Sequence, residues 1–336
     1  MFGAYRTILA LIIVGIHFTG STYWPGHYAV FGFFMLSGYL MTLITIKNYG
    51  FSPRGTLGYA LNRFLRVYPM YWLVCLISVG ILITLGDNRS ASPGFFMPES
   101  FSQWFRNIAL IIKISTTPVL IQPAWTLTVE LFFYMVIGLG ASRTKTRTLI
   151  WLLASIGYTA FMVASDYSFS ERFFTLAAGS LPFAIGACVY HWGENIMAKA
   201  GALFMHPIAP IATITLFFLN GFVGNWLGTY ESVSFYISIA LCLLILLSLH
   251  KRRELMFVPR DVDRFLGDLS YPIYLIHAPL AWLLLYLCKL ANIPITGPSI
   301  SALLLFVGPV LIASWLLSIA IERPIESLRT KVKQAI

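Results

Sequence analysis

Arg6 and His17 are the first side chains in this chain that could do chemistry, and both lie in one apolar run, AYRTILALIIVGIHFTG. They are eleven residues apart. That is just over three helical turns, so they share a face and stand roughly 16 Å apart along the axis. An imidazole embedded among apolar residues is costly, which makes an intramembrane histidine a functional-site candidate by default. Histidine can also take up and return a proton near neutral pH. The competing structural role is a hydrogen bond to a neighbouring helix.

Further polar groups stand in or beside other apolar runs. Arg63 and Arg66, in NRFLRVYPMYW, are three residues apart and share a helix face. Two guanidiniums so placed form a fork suited to phosphate, although each alone would serve as a positive-inside anchor. Glu130 lies mid-depth in PAWTLTVELFFY, and His277 lies in SYPIYLIHAPL. The structural alternatives are an arginine partner for Glu130 and a satisfied core role for His277. In VFGFFMLSGYL, Gly32, Ser37 and Gly38 permit close helix approach. Ser37 is read as a packing residue, since no G-x-S-x-G elbow is present. Ser37, Trp125 and His277 are candidates for lining a path between the two sides of the membrane. Glu130, at a depth closer to His17 than Arg6, is the better candidate to orient the imidazole or an acceptor hydroxyl.

The elements that must hold these groups are helices in a membrane. Of 336 residues, 58% are hydrophobic and only 11% charged, with a mean hydropathy of +0.78. A soluble protein would carry about 25% charged residues. The fold class is all-α and polytopic. Ten helices are predicted near 4–22, 28–46, 66–86, 122–140, 148–165, 172–191, 207–226, 232–250, 270–290 and 299–321. The stretch 102–121 contains Arg106, Lys113 and Pro118 and is read as interfacial or re-entrant, not as a span. The first run is read as a span and not as a secretory leader, because no A-x-A-like cleavage site follows it.

With the N-terminus in the cytoplasm, 18 of the 23 lysines and arginines fall on the cytoplasmic side, which also receives the C-terminus. Arg89, Arg106, Lys113, Arg172 and Lys289 are the exceptions. This is the bias the positive-inside rule demands. The net charge of +10 is therefore first a topology signal, and nucleic-acid binding has no other support. The four cysteines, Cys75, Cys188, Cys242 and Cys288, are scattered singly and have no metal-ligand spacing.

In order along the chain, these features resemble the acyltransferase-3 family of integral membrane acyltransferases. That family includes bacterial O-acetylases of lipopolysaccharide O-antigen, exopolysaccharides and nodulation factors. The resemblance rests on Arg6 with His17, FFMLSGYL at 33–40, and the R-x-x-R pair Arg63 and Arg66 followed by YP and YW. It continues through W-x4-E at Trp125 and Glu130 and SYPIYLIHAP at 270–279, and ends at IERPIE, 321–326.

The resemblance implies a ten-helix acyltransferase domain over 1–326 and a short basic cytoplasmic tail over 327–336. It implies a multi-pass protein of the bacterial inner membrane. The reaction implied is transfer of an acyl group, usually acetyl, from cytoplasmic acyl-CoA to a hydroxyl of a surface glycan or its lipid-linked precursor. Acyl-CoA is then a cosubstrate, with no bound cofactor and no metal. His17 corresponds to the family's catalytic histidine, Arg6 to its basic partner, Arg63 and Arg66 to its donor-binding motif and Glu130 to its acid. Arg6 is expected to act on bound acyl-CoA and not on His17. Whether His17 activates the hydroxyl or carries the acyl group stays open, as does a non-glycan acceptor. Some members add an SGNH-type hydrolase-like domain, which is expected to be absent here. A proton-coupled transporter using His17, Glu130 and His277 is the alternative from another class.

Overall fold

The computed structural model describes residues 2–86, 94–113, 118–200, 206–250 and 255–334. Arg89 and the 251–253 cluster of the charge argument lie outside the described residues. Among those described there are thirteen α-helices and no strand. They are α1 (Gly3–Thr19), α2 (Gly26–Ile44), α3 (Pro53–Leu85), α4 (Phe101–Ile108), α5 (Trp125–Gly138), α6 (Lys145–Ala164) and α7 (Phe169–Phe174). There follow α8 (Ser180–Ala200), α9 (Ala209–Trp226), α10 (Val233–Leu249), α11 (Arg260–Leu290), α12 (Ile300–Leu317) and α13 (Arg323–Gln334).

Each predicted helix has a counterpart in α1–α3, α5, α6 or α8–α12. Five stretches are long and apolar enough to cross a membrane: Gly26–Tyr49, Pro53–Leu85, Lys145–Ala164, Arg260–Leu290 and Ile300–Lys333. Gly3–Thr19 and Val233–Leu249 are apolar but shorter.

Two helices begin well before their apolar runs. α3 starts at Pro53, where the Gly55 amide donates to the Ser52 hydroxyl at 3.1 Å. A capped start with proline in the first turn is favourable whatever the hydropathy beyond it. Arg63 and Arg66 therefore stand inside α3, whereas the helix predicted from hydropathy begins only near residue 66. α11 starts at Arg260, with Asp261 and Asp263 in a first turn that favours acidic residues. Conversely, α8 starts later than predicted, at Ser180. The Ser168–Glu171 capping box makes Phe169–Phe174 a separate short helix, and the extended backbone at Thr175 ends it.

The stretch 102–121 contributes the eight-residue α4, about 12 Å long and too short to cross a bilayer. Leu110, at φ 58°, turns the chain away. The Asn107 amide nitrogen donates to the Pro118 carbonyl at 3.0 Å, and its oxygen accepts from the Leu120 amide at 2.9 Å. Residues 114–117 lie outside the described residues.

Helix register positions the site. The Ala4 amide donates to Asp263 Oδ1 at 2.9 Å, capping the start of α1 from α11. One turn on, the Thr7 hydroxyl donates to the Leu266 carbonyl at 2.6 Å. Numbers rise together on both helices, so α1 and α11 pack in parallel. A Cβ on Gly3 would stand 1.6 Å from the Asp263 carbonyl oxygen, so only glycine permits this approach. α2 and α8 pack antiparallel and equally close: a Cβ on Gly38 would lie 2.2 Å from the Phe183 carbonyl oxygen, and one on Gly186 2.0 Å from that of Met35. The 327–336 tail is helical as far as Gln334. It is held to α3 where Asn62 Nδ2 donates to the Arg329 carbonyl at 3.2 Å.

Candidate active site

Two cavities open at successive depths along α1. The first, of about 100 Å³, lies near the start of the helix. Its wall carries Arg6, Arg63, Arg66 and Glu130, with Ser37 and Tyr134. Arg63 is buried in the α3 wall; its Nη2 donates to Asn62 Oδ1 at 2.7 Å and its Nη1 meets Met41 Sδ at 3.4 Å. Arg66 forms an ion pair with Glu322, and its guanidinium lies 5.5 Å from the centre of the Tyr271 ring. The Glu130 carboxylate accepts from the Ser37 hydroxyl at 3.1 Å and from the Tyr134 hydroxyl at 2.9 Å. Three guanidiniums on one wall suit a phosphate-bearing ligand.

The second cavity, of about 390 Å³, lies toward the end of α1 and is lined by His17, His27, Gln122, Trp125 and Phe174. The His17 side chain is exposed on this space. Behind it, away from the cavity, His17 Nδ1 lies 2.7 Å from Nε2 of His277, and the rings stack with centres 5.0 Å apart. His277 is fully enclosed, and its Nδ1 lies 3.0 Å from the Ile273 carbonyl oxygen. His27 meets the Tyr230 hydroxyl at 3.3 Å and stands edge-on to Phe169, Phe173 and Phe174.

Val30, Thr126 and Tyr274 line both cavities and form the partition between them. The Tyr274 hydroxyl donates to the Pro123 carbonyl at 2.7 Å and is also hydrogen-bonded to the Thr126 hydroxyl. The two cavities together pair an anion-binding wall with an accessible imidazole. That combination suits base-assisted transfer from a phosphorylated donor. Among the described residues, no group of three or more His, Cys, Asp or Glu is placed to hold a metal ion.

The residues singled out in the sequence thus fall into two groups. Arg6, Arg63, Arg66, Glu130 and Ser37 meet at the first cavity, and His17 and Trp125 meet at the second. Glu130 is not the partner of His17; it faces the arginines, because its direction around α5 points to α2 and α1 below the partition. His277 takes the place expected for Glu130 and lines neither cavity. Sequence reasoning missed His27, Thr126, Tyr274 and Glu322. Tyr274 precedes His277 by three residues, so the shared helix face was available as a signal. Glu322 stands in IERPIE with no local cue to a partner on α3.

Three relatives named O-acetyltransferase OatA, from Staphylococcus aureus strains NCTC 8325 / PS 47, COL and MRSA252, are each 23% identical over 304 residues. The match covers 81% of this chain and 49% of each relative, so the chain spans about half the length of the curated relatives it matches. No solved structure matches. The acyltransferase domain of the acyltransferase-3 family matches residues 4–319, nearly the whole chain, and the chain belongs to that family of membrane acyltransferases.

Proposed function

We propose that the protein is a membrane O-acetyltransferase that takes an acetyl group from acyl-CoA in the first cavity. It delivers that group to a hydroxyl in the second. The acceptor is a surface glycan or its lipid-linked precursor, and the membrane is a bacterial inner membrane. The observation that carries this reading is the pair of neighbouring cavities, one walled by arginine and one presenting His17, that share Val30, Thr126 and Tyr274 in their linings. The OatA name of the relatives supports the acetyl group and the oxygen acceptor.

Arg6, Arg63 and Arg66 hold the phosphates of the donor, and its thioester reaches the partition. A hydroxyl is a weak nucleophile at neutral pH, so His17 Nε2 takes its proton as it attacks the thioester carbon. The C–O bond forms and the C–S bond breaks. The proton on His17 then passes to the departing thiolate, giving ester and free CoA thiol and restoring the imidazole. The developing oxyanion needs donors; the Thr126 and Tyr274 hydroxyls stand where the cavities meet, and each must turn from the Pro123 carbonyl to supply one.

The test uses the full chain in lipid nanodiscs with acetyl-CoA and a bacterial glycolipid extract. Thiol release and a mass gain of one acetyl group on a glycan are expected. His17→Ala should lose both while staying folded, and substantial transfer by that variant would remove His17 from the mechanism.

A further inference from the structure

His277 is buried, polar and unused by the mechanism above, and its two hydrogen bonds determine where the protons of His17 lie. The Ile273 carbonyl can only accept, so the nitrogen 3.0 Å from it, His277 Nδ1, carries a proton. Among the described residues, no carboxylate is paired with His277, and its ring is fully enclosed. A charged imidazolium there would be buried without a counter-ion, which disfavours it. A neutral His277 protonated on Nδ1 has a bare Nε2. That Nε2 faces His17 Nδ1 at 2.7 Å, so His17 must be the donor in this contact. Neutral His17 with its proton on Nδ1 leaves Nε2 bare, and His277, which occupies the Nδ1 side of the ring, lies outside the cavity that His17 lines.

We infer that His277 is a positioning residue that locks His17 in the Nδ1-protonated tautomer and so presents a basic Nε2 to the acceptor hydroxyl. A carboxylate usually orients a catalytic imidazole; here a second histidine does so, anchored on the backbone of its own helix. The parallel register of α1 and α11 brings the two rings together. His17 lies fourteen residues beyond Gly3, and His277 fourteen beyond Asp263, where the same helices meet at their starts. The inference rests on the proposed role of His17 as base.

The experiment is 15N spectroscopy of the full chain in nanodiscs, labelled on the histidine ring nitrogens, with the His17 signals assigned by their loss in His17→Asn. Wild-type protein should show a protonated Nδ1 and a bare Nε2 on His17. His277→Phe, which keeps a ring but has no acceptor, should move the His17 proton toward Nε2. It should also lower turnover about tenfold or more, with KM for acetyl-CoA within about twofold of wild type. His277→Gln keeps an acceptor for His17 and a donor for Ile273, so it should restore the wild-type tautomer. A wild-type His17 protonated on Nε2 overturns the inference, as does an unchanged tautomer in His277→Phe. If His277→Phe does not fold, the wild-type spectrum and His277→Gln decide alone. If wild-type protein transfers no acetyl group, the functional reading fails, and the tautomer is still judged by its spectrum.

Discussion

At the residue scale, Glu130 and the arginines make the sharpest case, because their charges oppose one another on one wall. Glu130 accepts from Ser37 and Tyr134 and shares its cavity with Arg6, Arg63 and Arg66. Its charge therefore competes with an incoming phosphate. Glu130→Gln keeps the shape and removes the charge, so acetyl-CoA should bind about two- to tenfold tighter, roughly 0.4–1.4 kcal/mol. The pH dependence of turnover should not move, because Glu130 does not touch His17. Titration of acetyl-CoA by calorimetry checks this, and weaker binding would mean that the carboxylate instead holds the guanidiniums in place. Arg63→Ala together with Arg66→Ala should weaken acetyl-CoA binding at least tenfold, about 1.4 kcal/mol, while insertion is unaffected. Arg63→Lys should rescue only part of that loss, since an ammonium cannot supply the planar fork that Arg63 offers. Unchanged affinity in the double variant would reduce the pair to topology anchors. The shared faces of Arg6 with His17 and of Arg63 with Arg66 were legible in the sequence, because helical period alone fixes them. The partners of Glu130 and His17 were not legible, because they depend on how distant helices rotate toward one another.

At the scale of the elements, the site depends on helices packed backbone to backbone. α1 meets α11 at Gly3, and α2 meets α8 at Gly38 and Gly186, in each case where a Cβ would strike a carbonyl oxygen. Gly3→Val must push α1 off α11 and draw His17 away from His277. Its expected cost is about 1–3 kcal/mol, with loss of turnover. Gly186→Ala should cost a similar amount through α2 and α8, and it should reach the site only through the wall that bears Ser37. Thermal unfolding of the purified variants measures both; a fully stable and active Gly3→Val would mean that α1 is free to stand off. All ten predicted helices were legible because apolar runs of that length have few alternatives in a membrane. The true starts at Pro53 and Arg260 were hidden, since capping and first-turn charge set them beyond the apolar window.

At the scale of the whole molecule, the parallel packing of α1 on α11 constrains how the chain threads the bilayer. Two parallel helices start on the same side, so an even number of crossings precedes α11 from the start of α1. With the ten helices α1–α3, α5, α6 and α8–α12 all spanning, α11 is the ninth, and eight crossings come before it. If the 102–121 stretch also crossed, there would be nine, and α11 would run against α1. The contacts of Ala4 with Asp263, Thr7 with Leu266 and His17 with His277 all run in the parallel sense. The short α4 and the charge bias point the same way. Reporter fusions should therefore place Arg54, Lys145 and the end of α13 in the cytoplasm, and Asp166 and Glu231 on the far side. A cytoplasmic Arg54 with everything beyond Trp125 inverted would make the 102–121 stretch a true span. It would also put the two histidines at opposite depths, and the donor and acceptor cavities could no longer share one partition.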